Sequence, residues 1–181
     1  MRVAKRRVWW MLVLASFAAS AAPAAVVTAT PAGLVVENAE VVPVEPAAAW
    51  AGLVGDVDRW WPRDHTWWGA DSRLSIDATA GGCFCEIAGT RQARHMEVVF
   101  VDPPGHLRML GGLGPFQGLG LHGVLDWRLE PVEGGTRITL RYQVGGFTTD
   151  DLSQLAPVVD RVQAQQLGGL ATHMRSQAAR P

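Results

Sequence analysis

The sequence predicts an α+β fold, a curved antiparallel sheet of about seven strands that closes on a long C-terminal helix, with two short helices after the first strand. Three observations predict it. Period-two runs separated by Gly turns occupy most of residues 74–144. The period then becomes helical from Ala156-Pro157 to the end of the chain. Between the first Val-rich run and these strands, Pro46 and Asp56 stand where short helices would start.

The chain begins with Arg2, Lys5, Arg6 and Arg7 and no acid, followed by apolar residues from Val8 to Ala19 and small residues after them. A basic start, a short apolar stretch and an Ala-x-Ala end describe a secretory signal peptide over residues 1–21. Ala19-Ser20-Ala21 and Ala22-Pro23-Ala24 are the candidate cleavage sites. An uncleaved anchor is the alternative, but the apolar stretch is shorter than the ~20 residues an ordinary span needs. The expected location is therefore periplasmic or secreted, with no membrane span after cleavage. Beyond the leader the chain carries 12 arginines, no lysine and 17 acids, a net charge of −5. That balance disfavours nucleic acids and anionic membrane surfaces, which call for basic patches.

Residues 22–32, rich in Ala, Pro, Val and Thr, read as a flexible connector, and residues 33–178 as a single domain. Leu34 to Val44 is the first expected strand. Pro46 takes the favoured first helical position of a short helix ending at Gly55. Asp56 is placed to cap a second one that stops at Trp61-Pro62. Residues 63–71 form a loop holding Trp67 and Trp68. Leu74 and Ile76 start the period-two pattern, Gly81-Gly82 makes a turn, and Phe84 and Glu86 share one face opposite Cys83, Cys85 and Ile87. Met96–Val101 and the run through Leu107 and Met109 are further strands, followed by a Gly-rich stretch, residues 111–120. Leu125, Trp127 and Leu129, then Ile138, Leu140, Tyr142 and Val144, form a hairpin around Gly134-Gly135 with one wet and one dry face. In the last helix Val158, Val159, Val162, Leu167, Leu170 and Met174 fall on one side. Gly168-Gly169 in mid-helix reads as a place of close approach or bending.

This order of elements, with Trp61-Pro62, Gly81-Gly82-x-Phe84-x-Glu86 and Gly135-Thr136-x-Ile138-x-Leu140, resembles the SRPBCC (START-like) superfamily and its helix-grip fold. The closest branch is the group similar to polyketide cyclases and heat-shock ATPase activators. The resemblance implies a deep apolar pocket between the sheet and the long helix. Members bind lipids, sterols or polyketides, some catalyse cyclisation or hydrolysis, and others bind proteins, so fold alone does not choose. An export leader removes most of the weight from the co-chaperone role.

Cys83 and Cys85 are the only cysteines. Export suggests a disulfide, but residues i and i+2 of a strand lie ~6.5–7 Å apart by the strand rise, at or past the bridging limit. Two free thiols are expected, with a Cys-x-Cys metal half-site as the alternative.

Glu86 is the most informative titratable group. On the face of Phe84 it would enter the pocket, where burial equips a carboxyl for acid, base or hydrogen-bonding roles. The alternative is an ion pair with Arg94, Arg108 or another arginine. His95 and His65 would complete a polar cluster with it, or be satisfied structural groups. His106, His122 and His173 read as solvated. No Ser elbow, phosphate loop or zinc motif is present.

The expected function is that of an exported protein holding a small hydrophobic ligand, lipid or polycyclic, without metal or other cofactor. Phe84, Met109, Trp127 and Tyr142 are expected to supply apolar contact, Trp61 and Trp68 to stand near the entrance, and Glu86, with His95 as a second candidate, to orient a polar group of the ligand. One rival is a cyclase or hydrolase using Glu86 with His95 or His65. Another is a protein-interaction module with a pocket filled by its own side chains.

Overall fold

The computed structural model describes residues 25–179. The expected signal peptide lies outside them. The period-two runs pair into one eight-stranded antiparallel sheet, ordered β1-β2-β8-β7-β6-β5-β4-β3. Its strands are β1 (Ala25–Thr30), β2 (Gly33–Val42), β3 (Arg73–Ile76), β4 (Cys83–Ala88), β5 (Arg91–Asp102), β6 (His106–Gly111), β7 (His122–Val132) and β8 (Gly135–Gly145). Two short helices, α1 (Pro46–Gly55) and α2 (Val57–Trp60), follow β2, and the long helix α3 (Leu152–Ala178) closes the chain.

The alternation buries one face. Leu34, Val36, Phe84, Leu107, Met109, Leu125, Trp127, Ile138, Leu140 and Tyr142 form the inner face and are almost wholly buried. Between β7 and β8, Gly134 and Gly135 take φ values of 86° and 139°, which only glycine adopts without strain. The helix α3 lies against β1, β2, β8, α1 and α2. Gly169 lets it come close, since a Cβ there would run into the carbonyl oxygen of Trp60 on α2. Trp60 in turn meets Trp127 edge-on at 5.9 Å between ring centroids, and Trp61 meets Phe84 at 5.0 Å.

Four local expectations change. Residues 25–30 of the expected connector form an edge strand; residues 26–30 are exposed, so no alternation marks them. The helix α3 begins at Leu152, a turn before Pro157, because Asp151 accepts a hydrogen bond from the Ser153 backbone N–H at 2.9 Å. Pro157 sits inside the helix and forgoes one backbone bond. Asp56 precedes α2 but makes no capping bond; its carboxylate instead accepts from Gln177 and pairs with His173, both at 3.0 Å, tying the α1–α2 junction to α3. His173 is therefore partnered rather than solvated.

Cys83 and Cys85 form a disulfide, not two thiols or a metal half-site. The strand contracts here, where the β4–β5 register shifts between Phe84 and Cys85, and brings the two Cα atoms to 5.4 Å. That separation lies within the bridging range.

Candidate functional site: a half-open cavity beneath the long helix

A cavity of about 590 Å³ lies between α3, the inner face of the sheet and two loops. The first half of α3 roofs it with Leu155, Val158, Val159, Val162, Gln163 and Gln166. Residues 61–67 form one wall through Trp61, His65 and Trp67, and residues 113–119 form another through Leu113, Phe116 and Leu119. Tyr142 of β8 and His95 of β5 reach it from the sheet. Trp67 and Val158 are 47% exposed and Leu119 is 44% exposed, so the opening has an apolar rim. Asp64 and Asp150 border it with exposed side chains, and among the described residues no Lys or Arg lines it.

Glu86 is completely buried beside this cavity. Its Oε1 accepts from the backbone N–H groups of Trp67 (2.9 Å) and Trp68 (3.3 Å) and from the Ser72 hydroxyl (2.5 Å). Its Oε2 lies 2.8 Å from His95 Nε2. Three donors on one oxygen satisfy a carboxylate, so the ring nitrogen facing the other oxygen carries the proton. His95 Nδ1 then keeps its lone pair. The arginines named as partners are engaged elsewhere, Arg94 with Glu97 at 3.2 Å and Arg108 with Asp126 at 2.6 Å. Glu86 thus pins the Trp67–Trp68 loop and orients His95 at once.

His95 reaches the inner face through a bulge. Phe84 pairs with Met96 and Cys85 with Arg94, leaving His95 as the extra residue on β5. Strict alternation would send His95 and Met96 to opposite faces, whereas both are buried. Bulges of this kind re-aim side chains next to sites. Burial pushes the His95 pKa below its ordinary value, against the opposing pull of Glu86, so the ring is neutral at pH 7. Tyr142 accepts from the Leu113 N–H at 3.3 Å, which leaves its own O–H free to donate. Burial raises its pKa to about 12, so it remains a phenol.

Of the expected ligand contacts, Trp61 and Tyr142 line the cavity. Phe84 lies behind the wall, between Trp61 and His95. Met109 and Trp127 are almost wholly buried core residues outside the cavity lining; β7 runs against α1, and Trp127 packs edge-on against Trp60 of α2. Trp68 turns away and stacks under the Arg91 guanidinium at 5.4 Å; its neighbour Trp67 faces the opening instead. His65 borders the cavity without bonding Glu86, and its Nδ1 is buried with no partner. His106, expected in solvent, pairs with Asp126 at 2.6 Å on the outer face.

Gln163 and Gln166 were not singled out, yet both are 2% exposed and their Oε1 atoms have no partner. The readable signal was two amides at positions of α3 that share the buried side with Val159 and Leu170. Among the described residues no group of His, Cys, Asp and Glu could hold a metal ion, and no helix is long and apolar enough to cross a membrane.

The model of the family described as "Polyketide cyclase / dehydrase and lipid transport" matches residues 34–175. The chain belongs to this family. The match spans the sheet from β2 onward and nearly all of α3. A solved protein of Mesorhizobium loti is similar over 81% of this chain and 99% of its own, at 18% identity and a TM-score of 0.56. One from Chromobacterium violaceum covers 78% and 96% at 14% identity and a TM-score of 0.56. CalU16 from Micromonospora echinospora covers 79% and 74% at 16% identity and a TM-score of 0.51. At such identities the likeness is one of fold. No curated protein matches. The family description fits ligand binding in general terms.

Proposed function

We propose that this family member is an exported binder of a small hydrophobic molecule, held in the cavity under α3. The observation that carries this reading is the cavity itself: about 590 Å³, apolar in most of its lining, with a few polar residues set among the apolar ones. That combination is characteristic of small-molecule sites. The Cys83–Cys85 bond supports an oxidising compartment. The interaction-module reading called for a pocket filled by its own side chains, and the open volume speaks against it. Native mass spectrometry of the protein from the export compartment, followed by organic extraction, is expected to find one apolar species bound 1:1. A bare mass that stays unchanged after incubation with a mixed lipid extract would refute the reading.

A second reading follows from the Glu86–His95 pair, a base held in place by a buried carboxylate. In it His95 Nδ1 takes a proton from a carbon next to a ligand carbonyl. The C–H electron pair moves into the enolate, whose oxygen accepts from the Tyr142 O–H. The proton then returns to carbon, with no net oxidation. Incubation with 2-tetralone in D₂O should show deuterium entering the carbons flanking the carbonyl by NMR. Replacing His95 with Gln should slow this by about 10²-fold or more. Equal exchange in wild type and variant would dismiss the catalytic role.

A further inference from the structure

Three features of the cavity restrict what it can hold. First, Gln163 and Gln166 are 2% exposed, line the cavity from successive turns of α3, and leave their Oε1 atoms unpaired; His65 Nδ1 is buried and unpaired as well. An unpaired buried polar atom is costly, so three of them on residues that line one cavity point to side chains that a ligand satisfies once they turn toward it. Second, among the described residues no Lys or Arg lines the cavity, and its charged lining groups are the carboxylates Asp64 and Asp150. Glu86, just behind the wall, is occupied by its own four partners. Third, the remaining lining is dominated by Trp, Phe, Leu and Val side chains.

An anionic head group would enter such a place with nothing to neutralise it and two acids at the rim. Burying an unpaired charge is far more costly than burying a paired dipole. An ammonium would find acids only at the exposed rim, away from the buried amides. A neutral hydroxyl suits the amides in either direction, because it donates to a carbonyl oxygen and accepts from an amide N–H. We infer that the cavity is selective for an uncharged, hydroxyl-bearing hydrophobic molecule, with the hydroxyl seated between Gln163 and Gln166, and that it rejects fatty acids and other anionic lipids. This rests on the ligand-binding reading above and narrows it to a substrate class. Gln163 and Gln166 are its specificity-determining residues.

Calorimetric titration of the purified protein with naphthalene, 2-naphthol, 2-naphthoate and 2-naphthylmethylammonium separates the outcomes, because the four probes share one apolar body. The expected result is that 2-naphthol binds about tenfold or more tighter than each of the other three, a difference of about 1.4 kcal/mol. In the Q163L/Q166L variant, naphthalene should bind at least as well as in wild type, and the preference for 2-naphthol should vanish. Equal affinity for naphthol, naphthalene and naphthoate would overturn the inference and leave the binding reading intact. Tightest binding of the ammonium would overturn it in favour of the rim carboxylates. Failure of all four probes to bind would count against the binding reading itself, and this inference would fall with it.

Discussion

His95 is 6% exposed and its ring is neutral because burial outweighs the pull of Glu86. A histidine with its folded pKa below the ordinary 6.5 takes up fewer protons in the folded than in the unfolded chain. The stability it confers is therefore fully present above pH 6.5 and is lost as the pH falls from there toward the folded value. Asp56 is also held below its ordinary 3.8, chiefly by its hydrogen bond with His173, so it acts only in a more acidic range. Thermal denaturation should show the wild-type melting temperature dropping between pH 7 and pH 5, and less so after His95→Gln. Parallel pH slopes for the two proteins would contradict this assignment. The residue-level lesson is mixed. Glu86 and His95 could be named from the sequence as one polar cluster, but their partners could not. Ser72 and the backbone amides of Trp67 and Trp68 meet Glu86 only because β3 and the preceding loop fold back over β4. The disulfide departs from the sequence expectation because an ideal strand rise overstates the Cys83–Cys85 separation, which is 5.4 Å between Cα atoms.

At the level of elements, the pair Gly168-Gly169 reports how α3 is seated. A Cβ on Gly168 would meet nothing, whereas one on Gly169 would press into the backbone of Trp60. Gly168→Ala should stabilise the protein by up to ~1 kcal/mol through helix propensity. Gly169→Ala should destabilise it by ~1–3 kcal/mol, since the clashing atom is backbone and cannot swing aside. Urea titration of the two variants checks the contrast, and a similar shift in both would remove the close approach as the reason for the second glycine. The hairpin β7–β8 and the closing helix were legible because each shows its period over ten residues or more. The edge strand β1 was not, since a strand exposed on both faces has no alternation to read. The start of α3 was misplaced by a turn because Asp151 decides it through a local hydrogen bond, while Pro157 suggested a later start.

For the whole molecule, the order of hydrophobic periods and Gly turns was enough to specify one antiparallel sheet packed on one long helix. Burial of a single face is a local property of each strand, written every second residue, and turn chemistry is written in two or three residues; both survive in a linear sequence. The family resemblance, read from the same short motifs, points to the same architecture and is matched over residues 34–175. What tertiary structure alone decided is where the core ends and the cavity begins. Phe84, Met109 and Trp127 share the inner face with Tyr142, yet of the four only Tyr142 lines the cavity that the first half of α3 roofs. The stretch of α3 holding Gly169 presses onto α2, whereas its first half spans the opening. Likewise a bulge turned His95 inward, and the path of one loop chose Trp67 over Trp68 for the mouth. These outcomes depend on distances between segments far apart in the chain, which no periodicity within a segment encodes.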